Sequence, residues 1–143
     1  MKKKLNCILI IDDDEPTNFI SRMLIEEAGC TENIEVVQSG RAALNYLLNN
    51  ADSEFSNKNF PHPDLIFLDI NMPAMNGWEF LHKYNELKNG NKSEIITIIL
   101  TTSLNSDDRL KADEMNEVSD FESKPLTSGK LNRILRKYFE PYF

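Results

Sequence analysis

The stretch ILIIDDDEPTN, residues 8–18, drives four large aliphatic residues into three consecutive aspartates, Asp12, Asp13 and Asp14. Neighbouring carboxylates repel one another, and burying any of them raises its pKa. Keeping three together requires an offset: a cation, a helix N-terminus or open solvent. A further aspartate, Asp69, ends the apolar run DLIFLDI and is followed by the turn NMPAMNG. Thr101 and Thr102 follow the run EIITIIL, and Lys124 follows VSDFES. If the fold brings Asp12, Asp13 and Asp69 into one crevice, the set suits a hard divalent cation. Magnesium is held by one or two carboxylates together with phosphate oxygens and water. A carboxylate at the end of a buried strand is placed to act as a nucleophile toward phosphorus. Phosphoryl transfer needs in-line positioning and charge neutralisation more than acid–base groups. A metal on one side, the Lys124 ammonium and the Thr101 hydroxyl would supply that neutralisation. Asp14 alone is read as an N-cap, since a carboxylate there accepts helix N–H bonds.

Such residues must be delivered by elements far apart in the chain. Four apolar runs, 5–11, 33–38, 64–70 and 94–100, read as strands, with a weaker fifth at 118–123. The first, third and fourth are nearly continuous in Ile and Leu, as in a parallel sheet buried on both faces. Helical patterns lie between them. Residues 15–28 carry Phe19, Ile20, Met23, Leu24 and Ala28, with Pro16 in the first turn and Gly29 as the stop. Residues 40–49 offer Ala43, Leu44, Leu47 and Leu48; residues 77–88 offer Trp78, Leu81, Tyr84 and Leu87. Residues 128–139 offer Leu131, Ile134, Leu135, Tyr138 and Phe139, whereas 105–116 has only Leu110, Ala112 and Met115 among many charges. That helix is expected to dock least firmly. The alternation predicts an α/β, (βα)5 doubly wound five-stranded parallel sheet, flavodoxin-like, in strand order 2-1-3-4-5. In that order the ligand end of the sheet receives Asp12, Asp13, Asp69, Thr101 and Lys124.

The chain has 143 residues and a net charge of −7, which reads as a single domain that does not bind nucleic acid. The expected domain is 1–143, with a core of about 5–140 and a long Asn-, Ser- and Pro-rich surface loop of about 49–63. Cys7 and Cys30 are too few for a disulfide framework and read as reduced thiols of a cytoplasmic protein. The start MKKKLNCILIIDDD is too short in apolar residues for a signal peptide, and no run is long enough to span a membrane.

The pieces IIDDD, LDINMPAMNGWEFL, ITIILTTS and DFESKPL, in this order, resemble the receiver domain of bacterial two-component response regulators. The resemblance covers essentially the whole chain. It implies that Asp69 accepts a phosphoryl group from a phosphohistidine on a sensor histidine kinase or a histidine phosphotransfer protein. It implies a Mg2+ site in which Asp13 and Asp69 are direct ligands, Asp12 acts through water, and Asn71 contributes its backbone carbonyl. Thr101 would be the switch hydroxyl, with Thr102 as the alternative. Lys124 would pair with the phosphoryl group across a cis peptide bond to Pro125, and Phe121 would be the aromatic switch. The signal would leave through a face built from the fourth helix, fifth strand and fifth helix, toward a protein target. The resemblance also allows a homodimer. Two departures stand out. The loop before the third strand is long, which resembles single-domain regulators linked to phytochrome-type or hybrid kinases. The segment KADEMNEVSDF lacks the small-residue AGA stretch usual before the fifth strand.

Other readings compete for the same residues. A haloacid-dehalogenase-type phosphatase would use Asp12 and Asp14 as D-x-D, with Thr101 and Lys124. It would need a later acidic motif, and residues 125–143 contain no Asp and only Glu140. A receiver that only scaffolds would lack an acidic, Thr or Lys position. His62 and His82 have no metal-ligand neighbours. Lys130, Arg133, Arg136 and Lys137 read as a solvated helix face, with a docking face for an acidic partner second. Asn71 and Ser103 border the line of water attack and are expected to set the lifetime of the phosphorylated form.

Overall fold

The computed structural model describes residues 4–50, 60–87, 95–102 and 105–140. Five strands, β1 (Leu5–Ile11), β2 (Thr31–Val37), β3 (Leu65–Leu68), β4 (Ile96–Thr101) and β5 (Asp120–Ser123), form one sheet in the order β2-β1-β3-β4-β5. Every pair is parallel. Five helices alternate with them: α1 (Glu15–Ala28), α2 (Gly40–Asn50), α3 (Gly77–Leu87), α4 (Ser106–Glu114) and α5 (Ser128–Tyr138).

The continuous apolar runs work because a strand's side chains alternate between its two faces. Ile8, Ile10, Leu65, Phe67, Ile98 and Leu100 point one way and pack with Ile25 of α1 and Leu131, Ile134 and Leu135 of α5. Leu9, Ile11, Ile66, Leu68 and Ile99 point the other way, against Ala43, Leu44, Tyr46 and Leu47 of α2 and Phe80 and Leu81 of α3. Two cores therefore hold the sheet rigid beneath its carboxyl end.

Element ends match the sequence pattern or differ from it by at most two residues. β2 starts two residues earlier than its apolar run because Thr31 pairs with Leu5 and its hydroxyl donates to the Leu5 carbonyl oxygen. β3 ends at Leu68, so Asp69 and Ile70 lie beyond the ladder. Most of the predicted 49–63 loop, at 51–59, lies outside the described residues, as do 94, 88 and Ser103.

The predicted face of α1 is a correction. Phe19, Ile20 and Met23 are 66%, 50% and 45% exposed, and Ala28 is also exposed. The buried stripe is Asn18, Ser21 and Ile25, with Leu24 half-buried beside it. Residues three and seven apart share a stripe as well as any apolar set does. Two polar residues pointing inward make the apolar pattern misleading. Leu87 and Leu110 are likewise exposed, while Phe80 and Tyr46, outside the predicted faces, are buried.

Candidate functional site

The site is assembled at the carboxyl end of the sheet, one segment at a time. Asp12 is the first residue past β1 and its N–H still donates to Val37 O at 3.1 Å. Its Oδ1 accepts from the Asp14 N–H at 3.0 Å, which folds the chain sharply into α1. Asp14 caps that helix: its carboxylate accepts from the Thr17 N–H at 3.3 Å and from the Thr17 hydroxyl. The N-cap reading of Asp14 therefore holds. Gly29, with φ 60°, ends the helix and donates to Ile25 O and Glu26 O.

Asp69 leaves β3 with its N–H donating to Ile11 O at 2.9 Å. Its Oδ1 accepts from the Asn71 N–H at 3.2 Å. The chain then turns through Ala74, whose φ is 66°, and enters α3 by a reciprocal cap. Asn76 N–H donates to Glu79 Oε1 at 3.0 Å, and Glu79 N–H donates to Asn76 Oδ1 at 2.9 Å. Gly77 allows this return: a Cβ there would lie 2.8 Å from Ile70 Cα and 2.9 Å from Asp69 O. The loop from Asp69 to α3 is thus pinned at both ends.

Thr101 ends β4, fully buried, and its Oγ1 accepts from Asn71 Nδ2 at 3.2 Å. Thr102 is exposed. The Lys124 N–H donates to Thr101 O at 2.9 Å, and the Lys124–Pro125 peptide bond is cis. The Lys124 ammonium lies 2.7 Å from Asp12 Oδ2 and 3.4 Å from Asp69 Oδ2. It therefore bridges two segments that are 57 residues apart in the chain. Phe121 stands apart from this cluster: its half-buried ring lies under the Arg109 guanidinium of α4, at 5.4 Å from the centroid.

Asp12, Asp13 and Asp69 each offer a carboxylate oxygen within 4.8 Å of the others; Asp12 and Asp69 are buried and Asp13 is exposed. Octahedral magnesium ligands at about 2.1 Å from the ion lie roughly 3–4 Å apart, so these hard oxygen donors fit with little movement. Electrostatics point the same way. Burial pushes the Asp12 pKa up, against the pull of Lys124 and the Asp14 N–H, and the charge on Asp69 adds to the rise. Burial works to lower Lys124, yet the Asp12 and Asp69 carboxylates outweigh it and raise its pKa. One ammonium does not balance three carboxylates, and a divalent cation would.

A cleft of about 220 Å³ opens beside the acidic cluster, lined by Thr17, Ile20, Ser21, Thr102, Lys124, Pro125 and Leu126. Ile20 of this lining is 50% exposed, and Phe19 and Met23 of the same helix are exposed as well. Asn18, which sequence reasoning passed over, is buried under the site, with its Nδ2 donating to Asp12 O at 2.8 Å. The available cue was that Asn18, Ser21 and Ile25 share one helical stripe. Arg133 and Lys137 of α5 stay on an exposed helix face, with side chains 46% and 55% exposed, yet their charged ends reach β5. Arg133 pairs with Glu122 and Asp120, Lys137 with Asp120, and Lys130 Nζ donates to Ser123 O at 2.7 Å.

Comparison with known proteins places this geometry. The response regulator receiver domain profile matches residues 8–136. A crystal structure of a two component response regulator from Cytophaga hutchinsonii shares 33% identity at a TM-score of 0.78, covering 94% of this chain and 97% of that one. Two-component response regulator 24 of Arabidopsis thaliana is 32% identical, over 90% of this chain and 81% of its own length. Hybrid signal transduction histidine kinase L of Dictyostelium discoideum is 29% identical over 95% of this chain, which spans 7% of that kinase. These relatives lend the dehalogenase-type alternative no support. With its five parallel strands, in that order, converging on a paired lysine and three aspartates, the chain belongs to the family of response regulator receiver domains.

Proposed function

We propose that the protein is a phospho-accepting signalling switch in which Asp69 takes the phosphoryl group. The observation that carries this reading is the meeting of Asp12, Asp13 and Asp69 within 4.8 Å under a lysine that bridges two of them. The Asp69 oxygen attacks phosphorus, an O–P bond forms, and the N–P bond to the donor imidazole breaks. Asp12, Asp13, Asp69 and the Asn71 carbonyl would hold Mg2+, which when bound neutralises charge on the transferring oxygens. Lys124 contributes the second positive charge. Thr101 is the hydroxyl that meets the phosphoryl group, in preference to Thr102; its burial and its bond to Asn71 support this choice.

The donor is a sensor histidine kinase or a histidine phosphotransfer protein. The exposed apolar Ile20 at the cleft that contains Lys124, with exposed Phe19 and Met23 on the same helix, supports docking of the donor on α1. Phosphorylation adds charge and acceptor oxygens at Asp69 and biases Thr101, Phe121 and α4 toward a second arrangement. The signal then passes to a protein target through α4, β5 and α5, a face that could also pair two copies. We read residues 1–143 as one receiver unit. Among the described residues no helix is long and apolar enough to cross a membrane, which accords with a cytoplasmic site of action.

The test is incubation with a phosphohistidine donor or acetyl phosphate in the presence of magnesium. The parent protein takes up acid-labile phosphate, and Asp69→Asn takes up none. Equal labelling of both would sink the assignment. Asp69→Ala protein that turns over a small phosphomonoester would revive the phosphatase reading.

A further inference from the structure

Three like charges occupy the turn between β1 and α1, and one residue grips both ends of that turn. The Asn18 side-chain amide donates to the Asp12 carbonyl oxygen at 2.8 Å, and the Asn18 backbone N–H donates to the Asp14 carbonyl oxygen at 3.0 Å. From the opposite side the Asp12 N–H donates to Val37 O. The Asp12 peptide is therefore held between the sheet and Asn18. This grip fixes the backbone from which the Asp12 and Asp13 carboxylates project.

Asn18 is only 6% exposed, and its Oδ1 finds no partner among the described residues. The orientation of the amide follows from the contact itself: turned over, its oxygen would face another carbonyl oxygen. A buried amide with one end unpaired is unfavourable, and asparagine is a poor helix former. Leucine has a similar volume and neither drawback. Stability thus gives no reason for asparagine here, whereas the bond to Asp12 does.

We propose that Asn18 is a positioning residue for the metal-binding turn. By fixing the Asp12 carbonyl it aims the Asp12 and Asp13 carboxylates toward Asp69 and so sets the affinity of the site for magnesium. It acts through Asp12. The inference rests on the metal-site reading above.

Isothermal titration of magnesium into the parent protein and into Asn18→Leu, Asn18→Ser and Ile25→Val separates positioning from packing. Ile25 is fully buried on the same stripe and carries no polar group. Loss of a residue that orients a ligand typically weakens metal binding roughly 10–100-fold, so both Asn18 variants should bind magnesium about tenfold more weakly. Asn18→Leu should keep or raise the parent Tm in EDTA. Ile25→Val should lower Tm and leave magnesium affinity unchanged. A folded Asn18 variant with the parent affinity overturns the proposal. So does an Ile25→Val protein that binds magnesium as weakly as Asn18→Leu, or failure of both Asn18 variants to fold by circular dichroism. A parent protein that binds no magnesium overturns the metal-site reading itself, and the proposal with it.

Discussion

At the residue scale the acidic cluster is a compromise between stability and ligand binding. Asp12 and Asp69 are buried, and Asp13 adds a third negative charge that Lys124 alone does not balance. Asp13→Asn should therefore raise Tm in EDTA by about 3 °C, the equivalent of about 1 kcal/mol, and reduce the further rise that magnesium brings to the parent. Differential scanning calorimetry with and without magnesium checks both signs. Asn71 works next to the acceptor. Its N–H donates to Asp69 and its side chain to Thr101, each at 3.2 Å, while the residue itself is exposed. On the proposed function it would border the approach of water to a phosphorylated Asp69. A longer side chain should screen that approach. Asn71→Arg is expected to slow loss of radiolabelled phosphate roughly fivefold, about 1 kcal/mol in the barrier. An unchanged decay would remove Asn71 from the path of water.

At the scale of elements, α4 and α5 are held in opposite ways. α5 buries Leu131, Ile134 and Leu135, whereas α4 buries only Ala112 and leaves Leu110 59% exposed. Polar and cation–π contacts replace the missing apolar stripe. Trp78 Nε1 donates to Asp108 at 3.2 Å, Lys111 Nζ lies 5.5 Å from the Trp78 ring centroid, and Arg109 covers Phe121. Contacts of this kind are worth only about 0.5–1 kcal/mol each where exposed. Trp78→Phe, which loses the N–H donor and the stronger ring, should speed amide exchange in α4 by roughly tenfold and leave α5 unchanged. Uniform protection of both helices in the variant would refute the clamp. On the other flank, Asp120 ties β5 to α5. Burial works to raise its pKa. The Phe121 N–H at 2.8 Å, Lys137 and the Tyr138 hydroxyl outweigh burial and hold it below the ordinary aspartate range. A depressed folded pKa adds stability above the unfolded value of about 3.9, and that stability disappears as pH falls through the folded value. As pH falls below about 4 the parent should lose stability more steeply than Asp120→Asn, as urea titrations at stepped pH would show.

At the scale of the whole molecule, two apolar layers enclose a sheet whose central strands are dry on both faces. Cys7 and Cys30 lie in this interior as free thiols. Burial pushes the Cys7 thiol up to about 12, despite its contact with the Tyr46 hydroxyl, and burial also raises Cys30. Since the thiolate is the reactive form, iodoacetamide should label native protein no faster than it unfolds, and mass spectrometry should find both thiols free until then. Rapid native labelling would contradict the packing of β1. Strand order, the two-faced core and the convergence of Asp12, Asp13, Asp69, Thr101 and Lys124 were legible beforehand. Short, nearly continuous Ile and Leu runs alternating with helical patterns admit few arrangements, and parallel strands deliver all their ends to one edge. The orientation of α1 was not legible, because Asn18 and Ser21 are buried and only the bond from Asn18 to Asp12 O explains why the helix turns this stripe inward. Nor were the ion pairs that Arg133 and Lys137 make from their exposed face, which depend on carboxylates of β5 that stand next to α5 only once the sheet is complete. Local patterns in the sequence determine which residues are apolar and where strands end. Which polar groups are satisfied inside is decided by neighbours distant in the chain, and those exist only in the folded state.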